Sequence, residues 1–377
     1  ADDGAFQAAG DAATSPSATT TDASAPSDAM TGPVGPSQVP GDASATRGDA
    51  QAPLTDAGFT ASSHDGGGKD AGVPDASTPP WAGPSGPSQG CGSQAPDADS
   101  ETDWIEHDIA IDGVAARFLK GGAQYGNQQG YDFSHRNYFV HLPQRYDSNK
   151  PYPLLISAGG CGATNGVSGD NGGSNPLADN QDVAVQVGLS YVYPQGGGAC
   201  FADGSADTPD LPYFDAVLAE LDRHYCFDRS QVFVSGFSSG AWETYMLACA
   251  RGGVIRGIGT QAGGLRKDRP ACTKLPVAAF LTAGVNDSNP IKNVDSTGFD
   301  SGSGAARDVL LKTNGCTSNA SEAYVTKDAP ADWNCLRYTS CPSAFPVVWC
   351  AISAGGGGHG AGSNKAYWPF WSALKAP

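Results

Sequence analysis

The chain has 377 residues, a formal net charge of −17, 51 glycines and ten cysteines. Such an acidic protein is a poor partner for nucleic acid or for an anionic membrane surface, because both repel negative charge. No apolar stretch reaches the roughly 18 residues of a membrane-spanning helix, so no transmembrane segment is predicted. No Cys or His pair has zinc-site spacing, so we expect neither a metal nor a cofactor.

The first part of the chain, residues 1–87, is dominated by Ala, Asp, Ser, Thr, Pro and Gly. Residues 1–100 contain thirteen Asp against one Arg and one Lys, so most of the negative charge lies there. With almost no aliphatic periodicity, this part cannot bury enough apolar area to offset the entropy of ordering. We therefore predict a disordered acidic tail or linker over 1–87 and one folded domain over 88–377.

The rest of the chain alternates between strand and helix patterns. In chain order we predict strands near 137–142, 152–158 and 188–193, a helix near 213–226, a strand near 231–235, a helix near 239–251, strands near 255–260 and 276–282, a helix near 302–314, a strand near 345–352 and a helix near 366–375. This alternation predicts a mostly parallel sheet with helices on both faces.

The segment Gly236-Phe237-Ser238-Ser239-Gly240 fits G-x-S-x-G and lies between a predicted strand and a predicted helix. A nucleophile elbow has this context, with Ser238 as the nucleophile. Gly236 and Gly240 would be required where strand and helix cross, because a side chain there would block the turn. The alternative is an ordinary turn in a glycine-rich chain.

A serine hydroxyl needs an imidazole to take its proton and a carboxylate to orient that imidazole. Asp287 follows the strand near 276–282, and we take it as the acid, with Asp295 and Asp300 further along the same loop as rivals. His359 is the one histidine that follows Ser238 in the chain, and it lies in a glycine-rich loop after the strand near 345–352. The alternative, a surface histidine, would leave Ser238 without a base.

The oxyanion of an acyl-transfer intermediate needs backbone N–H donors. The N–H of Ser239, the residue after the nucleophile, is one candidate. The strand near 152–158 ends in a glycine-rich loop that exposes backbone, where the N–H of Cys161 is our second candidate and that of Gly160 its neighbour. The same glycines could instead form a simple tight turn.

From about Ser88 to its end, the chain resembles the secreted feruloyl-esterase and polyhydroxybutyrate-depolymerase-like esterases of the α/β-hydrolase superfamily. An ordered series of segments carries the resemblance: Ser88-Gln89-Gly90-Cys91-Gly92, Arg136-Asn137-Tyr138-Phe139-Val140-His141-Leu142-Pro143, Tyr193-Pro194-Gln195-Gly196, Leu247-Ala248-Cys249-Ala250, Asn314-Gly315-Cys316, Tyr338-Thr339-Ser340-Cys341 and Pro346-Val347-Val348-Trp349. Two positions depart from the family pattern: Gly159-Gly160 replaces His-Gly, and Ala283-Gly284 replaces the His-Gly that opens the acid loop.

An even number of cysteines indicates an oxidising compartment and up to five disulfides. The resemblance, with the spacing, implies a disulfide between Cys226 and Cys249. On weaker grounds we pair Cys91 with Cys272, Cys161 with Cys200, Cys316 with Cys341 and Cys335 with Cys350. We expect a secreted or extracellular protein, or one held at a bacterial cell surface.

The resemblance implies a serine carboxylesterase that acts on esters borne by a polysaccharide or a polyester. We favour the release of hydroxycinnamates such as ferulate from plant cell-wall polysaccharide. A polyhydroxybutyrate or other polyester depolymerase and an acetyl xylan esterase are the alternatives within the fold. A serine peptidase and a non-catalytic binding protein are the alternatives outside esterase chemistry.

Overall fold

The computed structural model describes residues 84–96, 104–116, 132–161, 183–189, 200–201, 208–266, 269, 271–287 and 302–375. The tail predicted over 1–87 lies outside the described residues, apart from its last four. Within the described ranges no helix has both the length and the apolar character to cross a membrane.

The described residues form ten strands and four α-helices. The strands are β1 (Ile105–Ala110), β2 (His135–His141), β3 (Tyr152–Ala158), β4 (Val185–Leu189), β5 (Phe227–Phe237), β6 (Gly257–Gln261), β7 (Ala278–Gly284), β8 (Ser321–Ala323), β9 (Cys335–Tyr338) and β10 (Val347–Ile352). The helices are α1 (Asp210–His224), α2 (Ser239–Arg251), α3 (Ser303–Thr313) and α4 (Tyr367–Ser372).

All ten strands belong to one sheet, in the order β1-β2-β4-β3-β5-β6-β7-β10-β9-β8. The six central strands, from β4 to β10 in that order, pair in parallel. The strands at both flanks pair antiparallel. A mixed, mostly parallel sheet with helical crossovers confirms the predicted α/β-hydrolase fold class.

The central strands are apolar on both sides because helices cover both faces of the sheet. Val232 and Val234 of β5 pack in a core with apolar residues of α1, α2 and α3. Phe233, between them, points to the opposite face and packs with Tyr367 and Trp371 of α4. This alternation follows from the two-residue period of a strand, and it places three helices on one face and α4 on the other.

Three strands were not predicted from the sequence: β1, β8 and β9. All three lie at the flanks of the sheet. β1 alternates between half-buried and exposed residues, and all three residues of β8 are exposed. Strands that bury one face or neither lack the continuous apolar run that marks a central strand, so the pattern does not reveal them.

The predicted pairing of Cys226 with Cys249 is wrong, and so is that of Cys91 with Cys272. The structure instead contains Cys91–Cys226 and Cys249–Cys272. The reason lies in the segment before β1, which packs on the junction of α1 and β5. There the hydroxyl of Ser88 donates to the Tyr225 carbonyl at 2.5 Å and accepts from the Phe227 N–H at 2.8 Å, and so brings Cys91 to Cys226.

The other three predicted pairs are present as disulfides: Cys161–Cys200, Cys316–Cys341 and Cys335–Cys350. The last joins residues that lie directly opposite each other in the antiparallel pair β9–β10. The described cysteines are all paired in this way.

Candidate active site

The candidate site lies at the carboxyl ends of neighbouring parallel strands, where open α/β sheets hold their functional groups. Strands β3, β5, β6, β7 and β10 are adjacent in the sheet. Ser238 follows β5, Asp287 follows β7 and His359 follows β10. Residues that are far apart in the sequence therefore meet because parallel strands end at one edge.

Ser238 is the single residue between β5 and α2. Its φ of 52° lies in the left-handed region, which a serine adopts only when the surrounding structure enforces it. Two kinds of contact hold it: the Ser238 N–H donates to the Gln261 carbonyl at 2.9 Å, and the Ser238 carbonyl accepts from the first turn of α2. The turn thus presents the hydroxyl outside the helix.

The two glycines of the elbow have no room for a side chain. A Cβ atom on Gly236 would lie 2.1 Å from the Gly240 carbonyl oxygen. A Cβ atom on Gly240 would lie 2.0 Å from the Ala158 carbonyl oxygen at the end of β3. Strand, turn and helix therefore cross at backbone contact, as the motif predicts.

The structure brings the three candidate residues of the site into one chain of hydrogen bonds. Nε2 of His359 lies 3.0 Å from Oγ of Ser238. Nδ1 of the same ring lies 2.7 Å from Oδ2 of Asp287. The Asp287 side chain is 5% exposed and that of His359 47% exposed, so a buried carboxylate orients an imidazole that faces the surface. This order of contacts can move a proton from the serine hydroxyl to the imidazole.

The acid loop and the histidine loop are joined by backbone and amide hydrogen bonds. The Asn286 N–H donates to the Gly357 carbonyl at 2.8 Å, and its side-chain amide donates to the Gly356 carbonyl at 2.8 Å. Gly284 lets the loops approach, because a Cβ atom there would lie 2.3 Å from the carbonyl oxygens of Gly357 and Gly358. These contacts support the acid loop where Ala283-Gly284 replaces the family's usual His-Gly.

Gln261, the last residue of β6, is a site residue that the sequence analysis missed. Its carbonyl accepts from the Ser238 N–H, and its side-chain amide donates to the Gly360 carbonyl at 2.5 Å. It therefore connects the nucleophile turn to the residue after His359. Its position at the end of β6 could have identified it, because β6 lies between β5 and β7 and ends at the same edge of the sheet.

The candidate oxyanion loop lies next to Ser238. A Cβ atom on Gly160 would approach the Ser238 Cβ to 3.2 Å, and the Gly159 carbonyl accepts from the Gly240 N–H at 3.0 Å. Cys161 is tied to Cys200, and the hydroxyl of Ser239 accepts from the N–H of the next residue, Phe201, at 2.9 Å. The roles of the Cys161 and Ser239 N–H groups as oxyanion donors stay predictions.

The rival acids, Asp295 and Asp300, lie outside the described residues. In the described ranges, no group of three or more His, Cys, Asp or Glu side chains is arranged to hold a metal ion.

Feruloyl esterase D of Neurospora crassa is 27% identical over 219 residues, which cover 57% of this chain and 71% of that protein. Feruloyl esterase C of Emericella nidulans is 26% identical over 243 residues, which cover 63% and 84% of the two chains. The chain is similar in sequence to these feruloyl esterases and has an α/β-hydrolase fold. The predicted resemblance and the assignment to the carboxylesterases are thereby confirmed.

Among solved structures, the chain matches an acetyl xylan esterase from Aspergillus awamori with a TM-score of 0.44 and 13% identity, covering 65% of this chain and 97% of that one. No family model matches the chain.

Proposed function

We propose that this protein is a secreted serine esterase that releases hydroxycinnamates such as ferulate from plant cell-wall polysaccharide. The observation that carries the proposal is the pair of hydrogen bonds made by His359, one to Ser238 Oγ at 3.0 Å and one to Asp287 Oδ2 at 2.7 Å. A nucleophile, a base and an orienting carboxylate in this arrangement are the parts that acyl transfer requires.

In the first step, Oγ of Ser238 attacks the ester carbonyl carbon while Nε2 of His359 takes its proton. The charge that develops on the imidazole is stabilised by Asp287, which accepts the Nδ1–H. The negative carbonyl oxygen is held by the N–H groups of Ser239 and Cys161. The C–O bond of the ester then breaks, and the alcohol leaves with the proton that His359 returns to it.

In the second step, water attacks the acyl-enzyme on Ser238. His359 now takes a proton from the water, and the tetrahedral intermediate expels the Ser238 oxygen, which recovers the proton. The products are the free acid and the original enzyme. The half-exposed imidazole suits this step, because water can reach the face of His359 next to the acyl group.

The hydroxycinnamoyl substrate is inferred from the two relatives described above, both of which are feruloyl esterases by name. Phe237 adds an aromatic surface beside the site, since its ring centroid lies 5.3 Å from that of His359. Secretion is proposed because the described cysteines form five disulfides, which persist in oxidising compartments.

The nucleophile is tested by Ser238→Ala. We expect the variant to fold and to lose kcat/KM on a soluble ester by a factor on the order of 10⁴ or more. The matched control is Ser239→Ala, which keeps the backbone N–H and should retain most of the activity. A fluorophosphonate adduct mapped to Ser239, or no serine adduct at all, would contradict the proposal.

The base and the acid are tested in the same assay. His359→Ala and Asp287→Asn should each lose most of kcat, because the first removes the proton acceptor and the second its orienting charge. Asp295→Asn and Asp300→Asn are the matched controls for the acid. If Asp287→Asn keeps near-normal activity and one of the two controls loses it, the aspartate replaced in that control is the acid that orients His359.

The substrate is tested by comparing kcat/KM for methyl ferulate, an acetylated xylan and hydroxybutyrate oligomers. We expect methyl ferulate to be the best of the three. Hydroxybutyrate oligomers turned over faster than methyl ferulate would favour a polyester depolymerase, and a preference for acetylated xylan would favour an acetyl esterase. Both outcomes would leave the serine mechanism in place.

A further inference from the structure

A second cleft, of about 300 Å³, opens at the other end of β5 from the candidate active site. Its lining includes Asp228 and Gln231 from the start of β5, Arg256 before β6, Trp368 on α4 and Lys375 after α4. From Gln231 to Ser238 the chain advances by seven residues of extended strand, or roughly 20 Å. The cleft is therefore separate from the esterase site.

Arg256 is a buried cation at this cleft, with a relative exposure of 3%. Its Nη2 donates to the Lys375 carbonyl at 2.7 Å, and its guanidinium lies 4.9 Å from the centroid of the Phe345 ring. Its Nη1 is buried and has no acceptor among the described residues. A buried charge is normally paired with an opposite charge, so a guanidinium held by one neutral carbonyl and a ring is unusual.

Burial lowers the pKa of Arg256 to about 10, and the group therefore remains charged at neutral pH. A second lining side chain repeats the pattern, because Nε1 of Trp371 is also buried without an acceptor among the described residues. Both unsatisfied groups are donors. The ligand that completes such a cleft supplies acceptor oxygens, and an anion supplies them best beside an arginine.

The charges that line the cleft add up to a net positive value in an otherwise acidic protein. Asp228 is the one carboxylate among the described lining residues, against Arg256 and Lys375. Its oxygens are already occupied: Oδ1 accepts from the N–H and hydroxyl of Ser230 at 2.9 and 2.7 Å, and Oδ2 accepts from the Gln231 amide at 2.9 Å. Asp228 thus holds Ser230 and Gln231 at the rim of the cleft, and the side chains of Arg256 and Lys375 remain available to pair with an anionic ligand.

The remaining groups of the lining suit a sugar ring. Trp368 is half-buried and adds an indole to the lining, and Ser230, Gln231 and Ser372 provide hydroxyl and amide groups. An indole face packs on apolar C–H groups, while hydroxyls and amides exchange hydrogen bonds with polar substituents. The volume matches the lower end of small-ligand pockets.

We propose that this cleft binds a carboxylate-bearing sugar, a uronic acid unit of an acidic polysaccharide. The sugar ring packs on Trp368. Its carboxylate displaces the Lys375 carbonyl from Arg256 and pairs with the guanidinium, while the Lys375 ammonium contributes at the rim. Such a site would hold the protein on an acidic polysaccharide without taking part in ester hydrolysis.

Isothermal titration calorimetry with trigalacturonate tests the proposal on the Ser238→Ala protein, so the outcome does not depend on esterase activity. We expect saturable binding of trigalacturonate and at least roughly tenfold weaker binding of its carboxyl-reduced, neutral counterpart. Inorganic phosphate is the third probe. Equal affinity for the acidic and the reduced sugar, no binding of trigalacturonate, or phosphate binding as tight as that of trigalacturonate would overturn the proposal.

Three variants of lining residues and one control variant locate the binding. Lys375→Glu reverses an exposed charge at the rim and should abolish binding, whereas Lys365→Glu, an exposed lysine outside the lining, should not change it. Trp368→Ala should weaken binding roughly tenfold, and the same substitution in the active protein should leave kcat on a soluble ester unchanged. Arg256→Gln should remove the preference for the acidic sugar. If that variant does not fold, Lys375→Glu decides, and unchanged affinity in it would refute the site.

Discussion

At the scale of single residues, the elbow depends on positions that exclude a side chain. Gly240→Ala would place a Cβ atom 2.0 Å from the Ala158 carbonyl oxygen, a contact that only a backbone shift can relieve. We expect a loss of unfolding free energy of roughly 3 kcal/mol or more, at or above the upper end of overpacking costs. Urea denaturation measures it, and esterase activity should fall with it because Ser238 is displaced.

Gly304→Ala is the matched control for that substitution. Gly304 lies in the first turn of α3, where a Cβ atom would meet nothing within 4 Å. Because alanine is the better helix former, this variant should be as stable as the parent or slightly more so. Equal stability of the two variants would show that α2 and β3 can separate enough at Gly240 to accommodate a Cβ atom, contrary to this prediction.

Gln261 allows a test of how His359 is positioned. Its side chain contacts the residue after His359, but Gln261 is not itself a catalytic candidate. Gln261→Glu keeps the shape of the side chain and removes the donor that holds the Gly360 carbonyl. We expect kcat to fall roughly tenfold with KM nearly unchanged, because His359 would be less well oriented for proton transfer. Steady-state kinetics on a soluble ester measures the two constants separately.

The rate of fluorophosphonate labelling of Ser238 should fall with kcat in Gln261→Glu, whereas a merely structural effect would appear only in the melting temperature. Gln89→Leu is the control, since it removes the amide that donates to Asp222 at 2.9 Å, outside the candidate site. Unchanged kcat in Gln261→Glu would mean that the histidine loop is held without this amide.

At the scale of elements, one asparagine after α3 joins two of the site's strands. Asn314 is fully buried; its amide donates to the carbonyls of Val277 at 2.8 Å and Phe345 at 3.1 Å, and its Oδ1 accepts from the Val277 N–H at 3.0 Å. Val277 directly precedes β7, which leads to Asp287. Phe345 lies two residues before β10, which leads to His359.

Asn314→Ala would leave those three backbone groups buried without this partner. Since each such group costs about 1–3 kcal/mol, we expect a loss of roughly 3 kcal/mol or more in unfolding free energy. Urea denaturation measures it. Asn149→Ala, which removes only an exposed amide in a turn, should cost about 0.5 kcal/mol or less. Similar losses in the two variants would contradict the role given to the buried amide.

The elements also show what the sequence could and could not predict. The central strands and α1 to α3 have long periodic patterns, and their positions follow from those patterns within a few residues. The helix predicted near 366–375 is instead a 3-10 turn over Asn364–Ala366 followed by the short α4. The two wrong cysteine pairs depended on where the segment around Ser88 packs, a long-range contact with no periodic signal.

At the scale of the whole molecule, the proximity of the three candidate residues was predictable because chain order and strand order constrain it. Ser238, Asp287 and His359 follow three parallel strands, and only the fold brings those strands side by side. The motif singled out the serine, but Gln261 has no motif of its own. Its contribution depends on the hydrogen-bond partners that its position on β6 gives it, and these exist only in the folded sheet.

The boundary between tail and domain is testable by truncation. Deleting residues 1–83 removes none of the contacts at Ser88 and Cys91, so we expect the melting temperature and kcat on a soluble ester to stay within error of the parent. Deleting 1–91 removes the Ser88 hydrogen bonds to the α1–β5 junction and the Cys91–Cys226 disulfide, which spans 135 residues. The entropy of so large a loop corresponds to about 5 kcal/mol, and the melting temperature should fall accordingly.

Thermal unfolding of the two truncated proteins decides between these expectations, with full-length Cys91→Ala/Cys226→Ala as the matched control. That control keeps the Ser88 contacts and loses only the disulfide, so it should lie between the parent and the longer truncation in stability. Loss of stability on deleting 1–83 would mean that the acidic segment contributes to the fold. Full stability after deleting 1–91 would show that the junction of α1 and β5 holds without the segment that covers it.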